Sequence, residues 1–307
     1  MRTLVTVLIF ATLFASSLNA EPRERSFEFT YVAELAVPEG AAKVQMWLPY
    51  PKSDNYQDVR LLSIQSSLPT KLYQEYTYRN SMLFLSMSAA DLEPVRVEMS
   101  FRVTRREHQE SDFMELEDPE GWIDSSASRW LRPDRLAPID DSVREQAEVV
   151  VEGTTTVVDK ARAIFDYTVD NVEYGGGGAG FLAVFTGFAR AVGIPVKFQI
   201  GFPIPLERGE GQIEGYHCWA EFYVPGFGWV PVDASEANLH PDKRDYFFGA
   251  HDENRVEFTI GRDIKLNPLQ AGEPLNYFIY PYAEIDGKPV SDIQREFFYK
   301  DLDLVAE

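Results

Sequence analysis

The spacing of apolar residues changes along this chain, and that change limits the folds it can adopt more than any other feature. Between residues 26 and 109, apolar residues alternate with polar ones or form short runs between turn-forming residues, which is typical of β-strands. After residue 138 they recur every three or four residues, as in helices with one buried face. The sequence therefore predicts an α+β protein. Its expected parts are a β-sandwich-like N-terminal domain over residues 21–112, a linker over 113–140 and a second domain over 141–300.

The second domain is predicted to begin with helices and to continue with strands. Ser142 and Glu145 form a capping-box pair ahead of the first helix, and Thr156 can cap the second. A third helix is expected over residues 180–192, because its phenylalanines share one face and Gly193 follows it. The expected strands of the second domain are residues 196–202, 215–224 and 229–233, and those of the N-terminal domain are residues 27–32, 43–48, 83–87 and 95–101.

The first 20 residues have the layout of a cleavable secretory signal. Arg2 precedes an apolar run over residues 4–14, and small residues lead to Ala20. The run is too short to span a bilayer, and charged residues end it from Glu21 onward. A first strand or a retained anchor helix is the alternative interpretation. Because no second long apolar stretch follows, we expect an exported protein, periplasmic or secreted, without stable membrane insertion.

Charge and cysteine content exclude several partners and cofactors. The formal net charge is −20 at pH 7, whereas nucleic-acid binding requires basic patches. Cys218 is the single cysteine, which excludes an intramolecular disulfide. The four histidines do not stand at metal-ligand spacing. We therefore expect no nucleic-acid partner, no metal and no cofactor.

Three segments of the second domain resemble a known family. Residues 185–195 include the end of the third helix, residues 215–223 contain the order His-Cys-Trp-Ala-Glu from His217, and residues 228–233 end at Asp233. In this order and at this spacing they resemble the nucleophile helix, the histidine strand and the aspartate strand of the transglutaminase-like superfamily. The resemblance implies a papain-like core, in which helices pack on an antiparallel sheet.

The resemblance also implies acyl transfer by a cysteine at a helix start, with a histidine that moves the proton and an aspartate that orients it. His217 and Asp233 match the histidine and aspartate positions. The cysteine position falls on Gly178, at the end of a run of four glycines, and the segment before it is shorter than is usual in the family. No serine or threonine nearby in sequence replaces it. The resemblance therefore implies a retained His217–Asp233 pair without its nucleophile.

The glycine run has two further interpretations. Its backbone amides and the helix start can form an anion site. Alternatively, the short loop reflects a faulty or edited sequence whose intact parent is an ordinary enzyme of the family.

Cys218 is the remaining candidate nucleophile. Neighbouring residues on a strand point to opposite faces, so if His217 faces a cleft then Cys218 faces the core. The same alternation places Trp219 and Glu221 on the face of His217, either as packing residues or as cleft lining. The other histidines (His108, His240 and His251) stand in polar or loop-like stretches and are expected on the solvated surface.

Two classes of function follow. In the first, the protein is a catalytically silent transglutaminase-like module of the cell envelope that binds a protein, a peptide or a cell-wall fragment. In the second, it is an active cysteine protease or protein-glutamine acyltransferase that uses Cys218 or a rearranged site. Reactivity of the single thiol in the folded protein distinguishes the two.

Overall fold

The computed structural model describes residues 22–88, 94–118, 121–135, 137–173 and 178–302. The expected secretory signal and residues 175–177 of the glycine run lie outside these ranges, whereas Gly178 lies inside them. The interpretations of the glycine run as an anion site or as a trace of an altered sequence are therefore not tested.

The described residues form four antiparallel sheets. Their strands are β1 (Glu24–Leu35), β2 (Lys43–Tyr50), β3 (Gln57–Ser66), β4 (Thr70–Gln74), β5 (Ser81–Ser88), β6 (Val95–Arg106), β7 (His108–Gln109), β8 (Val196–Pro203), β9 (Glu210–Gln212), β10 (His217–Val224), β11 (Gly228–Val232), β12 (Ala250–His251), β13 (Arg255–Ile260), β14 (Tyr282–Ile285), β15 (Lys288–Val290) and β16 (Gln294–Asp301). The orders are β3-β6-β1-β16-β9, β15-β14-β2-β5-β4, β11-β10-β8-β13 and β12-β7.

The first two sheets contain the strands predicted for the N-terminal domain. Alternating burial along β1 and β6 places Phe29 and Phe101 inside, each 0% exposed, as the sequence pattern requires. Tyr50 of one five-stranded sheet contacts Phe101 of the other, with ring centroids 5.1 Å apart. The sandwich-like character predicted for this region is confirmed.

Strand pairing joins segments that the sequence analysis assigned to different domains. The last strand, β16, pairs with β1, and β14 pairs with β2. Segments near residue 290 therefore add strands to the N-terminal sheets. The domain boundaries themselves stay a prediction.

The helices are α1 (Ser125–Ser128), α2 (Asp141–Val150), α3 (Val157–Asn171), α4 (Ala179–Ala191) and α5 (Ala234–Leu239). Thr156 caps α3 as predicted, with its side chain accepting from Asp159 N. The cap predicted for α2 is wrong: Asp140, rather than Ser142, accepts from Val143 N. A carboxylate two residues earlier satisfies the free amides equally well, and the helix begins there.

The helix predicted over residues 180–192 is α4, and it packs on the four-stranded sheet. Phe181, Phe185 and Phe188 are buried, as their spacing predicts, and Phe185 contacts Phe222 of β10 with ring centroids 6.4 Å apart. This arrangement of helices on an antiparallel sheet is the α+β core that the sequence predicts. Within the described ranges, no helix is long and apolar enough to cross a membrane.

Candidate functional site

The β10–β11 hairpin brings His217 and Asp233 together. Residue 220 stands opposite residue 232 in the antiparallel register, and the turn between the strands is Pro225-Gly226-Phe227-Gly228. His217 is the first residue of β10, and Asp233 directly follows β11. Their side chains meet, with His217 Nε2 2.7 Å from Asp233 Oδ2, and both residues are buried.

The two oxygens of the Asp233 carboxylate have different partners. Oδ2 accepts from Arg255 Nη1 at 2.9 Å in addition to contacting His217. Oδ1 accepts from Ser235 Oγ at 3.0 Å and from the backbone N of Glu236 at 3.1 Å, which caps α5. The carboxylate is therefore held from two sides, and it can orient His217.

Electrostatics favour the charged form of this pair. Burial alone raises the pKa of Asp233, but the nearby His217 and Arg255 outweigh burial and bring the pKa below its usual range. Burial also lowers the pKa of His217, and the charge and hydrogen bond of Asp233 outweigh it, so the net shift is upward. A histidine with a raised pKa is an imidazolium over more of the neutral pH range.

Cys218 lies on the opposite face of β10, as the strand alternation predicts. It is 1% exposed, and burial raises the pKa of its thiol. Together with Gly178, Phe181 and Phe185, it lines a small, enclosed and mostly apolar cavity beneath the start of α4. The thiol is therefore separated from the His217 face and lies where a thiolate is disfavoured.

Gly178 is the N-cap residue of α4, and its surroundings leave no room for a side chain. Its φ is +73°, in the left-handed region that favours glycine. A Cβ at this position would lie 2.5 Å from Ser235 Oγ and 3.1 Å from Ser235 Cβ. No serine stands near residue 178 in the sequence, but folding brings Ser235 next to it. Its hydroxyl, however, donates to Asp233 rather than to His217.

Trp219 and Glu221 lie on the same face of β10 as His217, but their contacts differ. Trp219 is 0% exposed and packs between His217 and His251, with ring centroids at 5.7 and 6.1 Å. The guanidinium of Arg255 lies 4.9 Å from the centroid of the Trp219 ring. Trp219 is thus a packing residue. Glu221 lines a cavity and accepts from Lys197 Nζ at 2.8 Å.

The surface positions predicted for two other histidines are wrong. His108 is 2% exposed and His251 0%, because β7 and β12 pair with each other and pack beside the four-stranded sheet. Burial lowers the pKa of both, that of His108 to about 4. His240 is partly exposed, with 39% of its side chain accessible. In the described part of the chain, no group of three or more His, Cys, Asp or Glu side chains could hold a metal ion.

A cleft of about 530 Å³ opens beside His217. Its lining includes Tyr216, Glu236, His240, Lys243 and Arg255, so side chains of both charges surround the imidazole. We call this opening the His217 cleft.

Arg255, Ser235 and Glu236 were missed by sequence reasoning. Ser235 and Glu236 follow Asp233 in an Asp-x-Ser-Glu order, which is an N-cap pattern that could have been recognised. Arg255 stands 22 residues from Asp233 on a different strand, and no local pattern indicates their contact.

Comparisons with known proteins agree with this architecture. Residues 175–234 match the family profile described as the transglutaminase-like superfamily, a span that contains both His217 and Asp233. The chain is 28% identical over 330 residues to an "uncharacterized protein" of Haemophilus influenzae (strain ATCC 51907 / DSM 11121 / KW20 / Rd), with 89% of each chain covered. The solved structure of a "putative cysteine protease" from Cytophaga hutchinsonii superposes with a TM-score of 0.60 at 17% identity, covering 92% of this chain and 93% of that one. Residues 175–234 of this chain are therefore similar to the core of the transglutaminase-like superfamily.

Proposed function

We propose that this protein is a catalytically silent transglutaminase-like protein of the cell envelope that binds a protein, a peptide or a cell-wall fragment in the His217 cleft. The proposal rests on the geometry at the start of α4. Residue 178 has no side chain there, and Ser235 occupies the adjoining space. Acyl transfer requires a nucleophile within reach of its base, so the retained His217–Asp233 pair has nothing to activate.

Cys218 does not replace the missing nucleophile in this proposal. For an active cysteine protease or acyltransferase, the thiol would have to leave the core and enter the cleft on the other face of β10. Burial opposes that change, and the raised thiol pKa lowers the thiolate fraction further. Ser235 is no better placed, because its hydroxyl donates to the carboxylate and not to the imidazole.

The His217 cleft supports binding rather than turnover. Its volume of about 530 Å³ lies within the range of ordinary ligand sites. Lys243 and Glu236 offer opposite charges near the imidazole, which suits a polar chain with both donors and acceptors. Export to the envelope rests on the secretory layout of the first 20 residues.

Thiol labelling tests catalytic silence. We expect a small thiol-reactive probe to label Cys218 of the purified protein slowly between pH 6 and 9 and rapidly after denaturation. Rapid labelling of the folded protein, with an apparent pKa well below the free value of roughly 8.5, would instead make Cys218 a nucleophile activated by His217.

Calorimetric titration tests binding in the His217 cleft. Short peptides and soluble cell-wall fragments are titrated into the wild type and into Lys243→Ala, with Lys300→Ala as a control on an exposed lysine of β16. We expect the Lys243 change to weaken binding by roughly five- to tenfold, as loss of one charged contact does, and the Lys300 change to have no effect. Equal affinities for all three proteins, or no binding of any titrant, would contradict the proposal.

A further inference from the structure

A second cavity, of about 640 Å³, lies where strands β6 and β7 face the four-stranded sheet. Its lining includes Tyr56, Arg105, Gln199, Glu221, Trp229 and Glu257, and none of its lining residues lines the His217 cleft. We call it the Arg105 cavity.

Arg105 is buried in the wall of this cavity without a counter-ion in contact. It is 3% exposed, and among the described residues its guanidinium makes no hydrogen bond and no ion pair. Burial lowers the pKa of Arg105, which records the cost of keeping the charge there. A buried, unpaired charge is expensive, so folded proteins rarely retain one without a use for it.

Its cross-strand neighbour shows how the same side chain is satisfied elsewhere. Arg25 of β1 stands opposite Arg105 in the register and is 0% exposed. Its guanidinium donates to both carboxylate oxygens of Asp301 at 2.8 and 2.9 Å, and also to Asn254 and to the carbonyl of Pro205. A neighbouring buried arginine thus has a full set of partners, whereas Arg105, in the wall of the cavity, lacks them.

An unsatisfied acceptor lines the same cavity. The Oε1 atom of Gln199 is buried and has no partner among the described residues, while its Nε2 donates to Glu257 Oε2 at 2.6 Å. The carboxyl groups of Asp54, Glu110, Glu221 and Glu257 also line the cavity. Lys52 and Lys197 line it too, Glu221 accepts from Lys197 Nζ, and burial raises the pKa of Glu257 to about 8. The lining therefore offers both donors and acceptors, which suits a ligand with groups of both charges.

The cavity also offers apolar surface. Trp229, Phe227 and Tyr56 lie in its wall, and Lys197 Nζ sits 3.8 Å from the centroid of the Trp229 ring. Such a wall can contact a side chain while polar groups fix the orientation of the ligand.

We propose that the Arg105 cavity binds a zwitterionic amino acid or short peptide, whose carboxylate pairs with Arg105 and whose ammonium group is accepted by Gln199 Oε1 and the surrounding carboxyl groups. A planar carboxylate matches the two parallel donors of a guanidinium. This site is independent of the function proposed for the His217 cleft.

Thermal-shift and calorimetric titrations of the full chain test the proposal with four probe sets: free L-amino acids, their amides, their N-acetyl derivatives and dipeptides. We expect at least one free amino acid or dipeptide to raise the Tm. The matching amide, which lacks the carboxylate, is expected to bind at least about tenfold more weakly, and the N-acetyl derivative, which lacks the ammonium group, is also expected to bind more weakly. Comparison of free amino acids with dipeptides identifies which of the two sources fits the cavity.

Two arginine variants separate binding from structure. Arg105→Met should leave the Tm of the unliganded protein unchanged or higher, because an unpaired buried charge is removed, and should abolish binding. Arg25→Met should lower the Tm, because the partly buried carboxylate of Asp301 loses two hydrogen bonds from the guanidinium. Lys300→Ala, at an exposed position of β16 that lines neither cavity, should leave amino-acid binding unchanged.

The proposal is overturned if Arg105→Met lowers the Tm as Arg25→Met does, if the variant binds as tightly as the wild type, or if no probe binds the wild type at millimolar concentration. Loss of binding in Lys300→Ala as large as in Arg105→Met would equally overturn the assignment to Arg105.

Discussion

The two halves of the transglutaminase-like site differ in how the fold holds them. His217 and Asp233 are fixed by the β10–β11 hairpin and by Arg255 on β13, so their contact depends on strand pairing with neighbours on both sides. The nucleophile position that the resemblance implies is Gly178, the N-cap residue of α4, and Ser235 lies next to it. The His217–Asp233 contact therefore rests on regular strand pairing, whereas residue 178 lies at a helix start.

The largest expected effect concerns the hairpin half. Asp233→Asn should lower the free energy of unfolding by about 3–5 kcal/mol, because His217 and Arg255 would lose a buried countercharge. Denaturant unfolding measures it. The control, Asp170→Asn, breaks a contact with Arg244 at a carboxylate that is 58% exposed, and it should cost no more than about 1 kcal/mol. Equal effects would mean that the pair does not depend on burial.

The helix half is tested by adding a side chain at residue 178. Gly178→Ala should cost about 3 kcal/mol, part from the left-handed backbone and part from contact with Ser235. Gly153→Ala is the matched control, because its φ is +81° and a Cβ there meets nothing within 4 Å. It should cost about 1–2 kcal/mol. If the two variants lose the same stability in denaturant unfolding, Ser235 does not close the nucleophile position.

The buried histidines outside the pair, His108 and His251, should lower the stability of the fold as pH falls. His217 should lower it as pH rises. The pKa of His108 is lowered to about 4, so the unfolded chain binds the proton first, and stability is lost as pH falls from about 6.5 toward 4. His108→Gln should reduce the loss of unfolding free energy between pH 7 and pH 5 by about 2 kcal/mol.

His217 has the opposite effect on stability, because folding raises its pKa instead of lowering it. Its contribution is fully present below the unfolded pKa of about 6.5 and is lost as pH rises through the folded pKa. NMR titration should therefore show His217 losing its proton above the unfolded pKa of about 6.5. An imidazole that is neutral at pH 6 would contradict the charged pair.

The smallest expected effect concerns Ser235, which lies between Asp233 and residue 178. Ser235→Ala removes one hydrogen bond to Asp233 and should cost about 1 kcal/mol in denaturant unfolding. It also removes the atom nearest to a Cβ at residue 178, so Gly178→Ala should be less costly in its presence. If the stability losses of the two changes are additive, Ser235 does not limit the space at residue 178.

Sequence reasoning recovered more of the site than of its surroundings. His217 and Asp233 come together because one hairpin with a short turn connects them, and a hairpin can be recognised locally. His108 and His251 were misplaced because their burial follows from pairing between strands more than 140 residues apart in the chain, β7 and β12. Arg105 looks like any polar residue of an alternating strand, and only the sheet packed against it leaves it without a partner.

Local patterns in the sequence were enough to predict the main helices and strands and the faces on which their side chains lie. The spacing that predicts residues 180–192 as a helix agrees with Ala179–Ala191, and alternation along β10 separates His217 from Cys218, because both periods are properties of the local backbone. Which segments meet is visible only in the folded chain: β16 pairs with β1, Arg255 contacts Asp233, and Ser235 lies next to Gly178. These contacts join residues that are distant in the chain, and their geometry depends on the packing of whole sheets, which no local pattern encodes.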